Sequence, residues 1–169
     1  YETEVCDIRL KDKKYDEAII AANIALQKTP NHRGAIMCKA LVFISTKEYK
    51  EASDQLSYLI NFLEKNLEAD DKTGKGTLAA AYANRGIIKD RTEDYNGALK
   101  DYVKALGIDH ESVAGPGLGT IILNYKFQSS SVKERALYLN KQLQLPENER
   151  VLKIEKLDEG QVMHKPGKL

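Results

Sequence analysis

No stretch of this sequence is long and apolar enough to cross a bilayer. The longest apolar runs, TLAAAYA and TIILNY, fall far short of the roughly 20 residues that a spanning helix needs. No charge of one sign dominates. With 26 basic and 25 acidic side chains the formal net charge is +1, and no Lys/Arg cluster interleaves with aromatic residues as a nucleic-acid binder would require. Neither membrane insertion nor a nucleic-acid partner is therefore expected.

The signatures of catalysis are missing too. The cysteines form no C-x-x-C pair, and there is no H-E-x-x-H or calcium-loop pattern. The stretch TGKGT lacks the glycine spacing of a phosphate-binding loop, and GPGLG follows no predicted strand. The three histidines are isolated; His32 and His110 fall at the ends of repeated segments, where they are expected to contact helix C-termini rather than a metal. No enzyme, cofactor or metal site is expected. Cys6 and Cys38 both fall on predicted helices, so they are either two small buried side chains or a disulfide, which needs an oxidising compartment. That option and the absence of an initiating Met lean toward an exported, periplasmic-type location.

What the sequence does contain is repetition. YDEAIIAANIAL at Tyr15 returns as YKEASDQLSYLI at Tyr49, 34 residues on, and as YNGALKDYVKAL at Tyr95, a further 34 plus 12. The extra residues are assigned to a charged, glycine-bearing insertion over 64–77. In the third copy Tyr95, Ala98, Leu99, Tyr102, Ala105 and Leu106 recur at the spacing of one helix face. A second helix is predicted ahead of each copy, over 2–12, 33–46 and 78–91, joined by the short polar turns KDKK, TKE and TED. A helix pair of 34 residues cannot bury its own apolar faces, so it must stack on copies of itself.

At this point the chain resembles the tetratricopeptide repeat family, in a bacterial stand-alone form. The third repeat matches over about Ala79–Ser112 with Tyr82, Gly86, Tyr95, Ala98, Tyr102 and Ala105, and His110 replaces the usual terminal Pro. The first matches through Cys6, Tyr15, Ala18, Ala25 and Pro30; the second through Ala40, Tyr49 and Ala52, with Leu59 where a small residue is usual. The resemblance implies an all-α, right-handed solenoid of stacked antiparallel helix pairs. The expected organisation is an array over 1–146, with repeats at about 1–32, 33–66 and 79–112 and a degenerate unit at 113–146. A C-terminal tail over 147–169 is expected to be partly docked through Val151, Leu152, Ile154, Leu157 and Val162. In the degenerate unit Ser131 is a predicted N-cap with Glu134 in the capping-box position, and Ala136 and Leu143 are predicted packing residues.

Function also comes from the resemblance. Such arrays bind extended or helical peptides on the concave side, lined by the first helix of each pair. The implied groove is Thr3, Asp7, Leu10 and Lys11 from the first repeat, and Met37, Leu41, Ile44 and Ser45 from the second. The third adds Ala83, Asn84, Ile87, Asp90 and Arg91. The Lys/Asn pair of carboxylate-clamp relatives is replaced by Thr3 and Asp7, and only Asn84 fits that pattern, so such a clamp is not expected. Met37, Leu41, Ile44, Ala83 and Ile87 make an apolar strip that something should cover. The candidates are a partner's amphipathic helix, the chain's own tail or fourth unit, and a second copy. The expected role is thus a non-catalytic scaffold or adaptor for a protein or peptide partner. The alternatives are a self-associating structural module, and hence a homo-oligomer, or an accessory domain of an enzyme complex. An Ile44→Asp substitution is expected to separate the three covers.

Overall fold

The computed structural model describes residues 2–109 and 132–154. These form seven α-helices and no strand among the described residues: α1 (Glu2–Lys11), α2 (Tyr15–Lys28), α3 (Arg33–Ser45), α4 (Tyr49–Asn66), α5 (Lys72–Arg91), α6 (Tyr95–Ile108) and α7 (Val132–Leu143). A 3₁₀ turn follows at Glu147–Glu149. The chain divides into two compact units, Tyr1–Glu68 and Ala69–Leu169. In the first, α1 packs on α2, α2 on α3 and α3 on α4; in the second, α5 packs on α6 and α6 on α7. The expectations for His110, GPGLG, TIILNYKF, Ser131, Leu157 and Val162 lie outside the described residues.

The three turns within the helix pairs close in one way. Lys13, Lys47 and Glu93 take left-handed backbone conformations, with φ of 58°, 63° and 66°. Each donates its N–H to a carbonyl three residues back, at Leu10, Ile44 and Asp90 (3.1, 3.1 and 3.2 Å). The following residues, Lys14, Glu48 and Asp94, reach five back to Arg9, Phe43 and Lys89, each at 2.8 Å. This is the Schellman closure, usually built on glycine. A side chain in that conformation costs about 1–2 kcal/mol, so each closure is held by the helices it joins. The repeated tyrosines Tyr15, Tyr49 and Tyr95 open the second helix of each pair, and Ala18, Ala52 and Ala98 one turn later are fully buried.

The residues 64–77 hold the boundary between the two units, as expected of the insertion, but most of them are helical. Helix α4 runs on to Asn66 and α5 starts at Lys72, so the extra residues lengthen helices and the connection is short. Two glycines open α5 against their propensity. Asp71 offsets this as N-cap, its carboxylate accepting from Gly74 N (2.7 Å), and Thr77 Oγ1 donates to Thr73 O (2.9 Å). Gly74, Gly76 and Thr77 are buried, so packing decides the conformation.

The crossing point of α5 and α6 explains the small residue there. A Cβ added at Gly86 would lie 2.6 Å from Tyr102 Cε1 and 2.7 Å from Cδ1. The repeat register pairs Cys6 with Ala22, Ala40 with Leu56 and Gly86 with Tyr102, so the second-helix residue grows as the crossing residue shrinks. We expect Gly86→Ala to lower the unfolding free energy by about 1–3 kcal/mol. In urea denaturation, Gly86→Ala/Tyr102→Leu, which copies the Ala40/Leu56 pair, should cost less than the sum of its single substitutions. Additive losses would show that the two sites are not in contact.

In the first unit the cysteines form a disulfide, Cys6–Cys38, tying α1 to α3 across 32 residues. Of the two readings open to the sequence, the bonded one holds, and both side chains are also buried. Closing a loop of that length stabilises by about 3–4 kcal/mol through the unfolded state. Cys6→Ala/Cys38→Ala should lower the unfolding free energy of this unit by that amount in a denaturant titration.

Candidate interaction surface

The residues assigned to the groove stand in three environments. On α1, Asp7 is half-buried, Lys11 exposed and Leu10 buried; Arg91, at the end of α5, is half-buried. Met37, Leu41 and Ile44 on α3, and Ala83, Asn84 and Ile87 on α5, are only 0–3% exposed. The apolar strip expected to face solvent is thus covered, and the cover is supplied by the chain itself. Ile44→Asp would bury an unpartnered carboxylate there and cost several kcal/mol, so it reports on folding and cannot separate the three proposed covers. Helix α5 is buried on every side through Gly76–Asn84, as a helix surrounded by protein must be.

Helix α1 differs from α3 and α5 at equivalent positions. Glu4 and Asp7 stand where Cys38 and Leu41, and Asn84 and Ile87, are buried. Ile8 is 56% exposed where Val42 and Ile88 are 2% and 4%. The first pair therefore presents a more polar, wetted face at these positions than the other two. His32 also corrects an expectation. It caps the N-terminus of α3 rather than a helix C-terminus, with Nδ1 accepting from Ala35 N (3.3 Å) and Nε2 3.4 Å from Thr3 Oγ1.

The most developed polar site lies in the second unit, and the sequence reading missed it. Asp90, one of the groove positions implied by the family resemblance, is buried. In the repeat register it occupies the position of Leu10 and Ile44, and Arg135 of α7 explains the exchange. Arg135 is 1% exposed and donates in a bidentate fork to Asp90, Nε to Oδ2 (2.8 Å) and Nη2 to Oδ1 (2.6 Å). Tyr102 Oη donates to Asp90 Oδ2 (3.0 Å). The guanidinium lies 5.5 Å from the ring centroid of Tyr138, within cation–π range, and Nη2 also donates to Leu152 O (2.8 Å).

The segment after α7 is held by its backbone. Tyr138 Oη donates to Val151 O (2.6 Å), and Val151 N donates to Gln142 Oε1 (2.8 Å), while the Val151 side chain stays 58% exposed. The apolar side chains that suggested docking are therefore not what holds Val151. In α7 itself Ala136 is buried as expected, but Leu143 is only half-buried, and Leu139 is the fully buried leucine. The helix turns its apolar stripe inward through residues 132, 135, 136 and 139, and Leu143 falls at the frayed end.

A second ionic cluster joins α5 to α6. Arg85 grips Asp101 with Nε to Oδ2 (2.8 Å) and Nη2 to Oδ1 (2.9 Å), and Lys89 Nζ adds a contact to Oδ2 (2.9 Å). Asp101 is buried where the register has Ala21 and Gln55. Charged residues at apolar or neutral register positions are the signal that could have located both sites. Among the described residues no group of three or more His, Cys, Asp or Glu side chains is placed to hold a metal, and no helix is long and apolar enough to cross a membrane.

A buried ion pair is expensive to break and cheap to replace as a whole. Arg135→Ala should weaken the docking of α7 by about 3–5 kcal/mol, read as lost hydrogen-exchange protection along the helix. Asp90→Leu/Arg135→Met should recover most of that protection. No protein-family model matches this chain, and no curated protein matches it.

Proposed function

We propose that this chain is a non-catalytic interaction module, a scaffold or adaptor of the tetratricopeptide kind that binds a helical segment of a partner protein. The observation that carries the reading is how the second unit holds α7. Its buried residues are Val132, Arg135, Ala136 and Leu139, the i, i+3, i+4, i+7 spacing by which amphipathic helices seat in grooves. A helix pair that accepts one helix in this way is chemically suited to accept another.

Further support comes from the repeat register and its shared turn closure, which give each helix pair the same frame for presenting side chains. The Cys6–Cys38 bond supports an oxidising compartment and so an exported setting. Among the groove positions taken from the family resemblance, Thr3, Asp7, Lys11, Ser45 and Arg91 are the ones a partner can reach without unfolding the chain.

The test is a fluorescence-anisotropy screen of amphipathic helical peptides, run with light scattering of the chain alone. The expected result is a monomer with saturable micromolar binding to at least one peptide, weakened several-fold by Arg91→Glu with the melting temperature unchanged. Ile20 and Ile24, exposed and one turn apart on α2, are the observation favouring a self-associating module. A dimer dispersed by Ile20→Lys/Ile24→Lys, with no peptide bound, would establish that role instead.

A further inference from the structure

We infer that α7 is an exchangeable occupant seated in cis on the α5–α6 pair, and that Asp90 selects for an arginine in the helix that sits there. The inference rests on the interaction reading above and names its partner class: an amphipathic helix with arginine inside its apolar stripe, in the pattern V-x-x-R-A-x-x-L of Val132 to Leu139.

Three observations carry it. First, α7 presents a single stripe: of its 12 residues only Val132, Arg135, Ala136 and Leu139 are buried, and Leu137 is 62% exposed. The stripe has the same spacing as those of α2 (Ala18, Ala21, Ala22, Ala25) and α6 (Ala98, Asp101, Tyr102, Ala105), so four residues are all that a competing helix has to match to seat there. Second, one of the four anchors is charged. An apolar pair would hold the helix at least as firmly, whereas an ion pair in its place rejects any helix lacking the cation, since Asp90 would then be buried unpaired. The first two repeats carry Leu10 and Ile44 at the Asp90 position, so the carboxylate belongs to this pair alone among the three.

Third, the socket is preorganised from its own side. Tyr102, fully buried with its ring against Gly86, donates to Asp90 Oδ2 at 3.0 Å and fixes the carboxylate. The guanidinium is in turn aimed from the α7 side, by Leu152 O and the Tyr138 ring. Both halves of the contact are positioned by neighbours on their own element or hairpin, as in a receptor and its ligand. When α7 lifts away, Asp90 meets water and the desolvation penalty disappears, so opening leaves no stranded charge. The cis helix then shields the surface until a competing Arg-bearing helix takes its place.

The experiment uses the full chain carrying Arg135→Ala/Leu139→Ala, which disables the cis helix and leaves the socket intact. The probe is a fluorescein-labelled peptide of this chain's own residues 132–154. Saturable binding is expected, at least tenfold tighter than to the wild-type chain. Adding Asp90→Leu to the protein, or Arg135→Ala to the peptide, should weaken it at least tenfold. A double variant with native helical circular dichroism that does not bind the peptide overturns the inference, as does equal binding of the Arg-less peptide. If the double variant loses its helical signal, native-state hydrogen exchange of the wild-type chain decides. Amides of α7 should be at least tenfold less protected than buried amides of α5, and equal protection overturns the exchange. Failure of every screened peptide on both the wild-type chain and the double variant sinks the interaction reading, whereas binding that does not depend on Asp90 or Arg135 sinks this inference alone, so the two can fail separately.

Discussion

The absence of a side chain at Gly86 sets the geometry of the second unit. It lets the Tyr102 ring lie directly on the backbone of α5, closer than any Cβ would permit. The ring's position brings its hydroxyl to Asp90, one turn along the same helix, and the carboxylate so oriented takes both arms of the Arg135 fork. Arg135 reaches on to Leu152 O. A single line of contacts thus runs from a missing methyl group to the segment beyond the last described helix.

The two units answer the same packing problem with different chemistry. In the first, a disulfide ties α1 to α3 and the residues at the register positions of Asp90 and Asp101 are apolar or neutral: Leu10, Ile44, Ala21 and Gln55. In the second, carboxylates occupy those positions and each is matched by a bidentate arginine. A covalent staple limits the unfolded chain, whereas buried ion pairs add little net stability and discriminate strongly between partners. The unit with ionic anchors is accordingly the one read here as selecting what sits on it. Both units share the left-handed turn closure at Lys13, Lys47 and Glu93, where packing of the flanking helices overrides the usual preference for glycine.

Much of the helix framework could be read in the chain because it rests on local rules. The Tyr-x-x-Ala spacing placed the start of α2, α4 and α6, and the small residues at Cys6, Ala40 and Gly86 marked the crossings. Tertiary burial overrides propensity over 64–77, where a charged, glycine-bearing insertion is helical on both sides of a short connection. Asp90, expected to line the groove, is instead buried against Arg135. A charge in an apolar register position signals a buried partner, but the partner, 45 residues away on α7, has no sequence mark that pairs it with Asp90.

By itself, then, the sequence determined the helix pairs, their order and period, because apolar periodicity and steric limits at the crossings act within about 34 residues. Only the tertiary structure decided which of those apolar faces stay accessible. It covered Met37, Leu41, Ile44, Ala83 and Ile87, left Ile8 exposed in the register of Val42 and Ile88, and joined Cys6 to Cys38 and Asp90 to Arg135. Burial and long-range pairing depend on what the rest of the chain brings to a surface, and no local pattern encodes that.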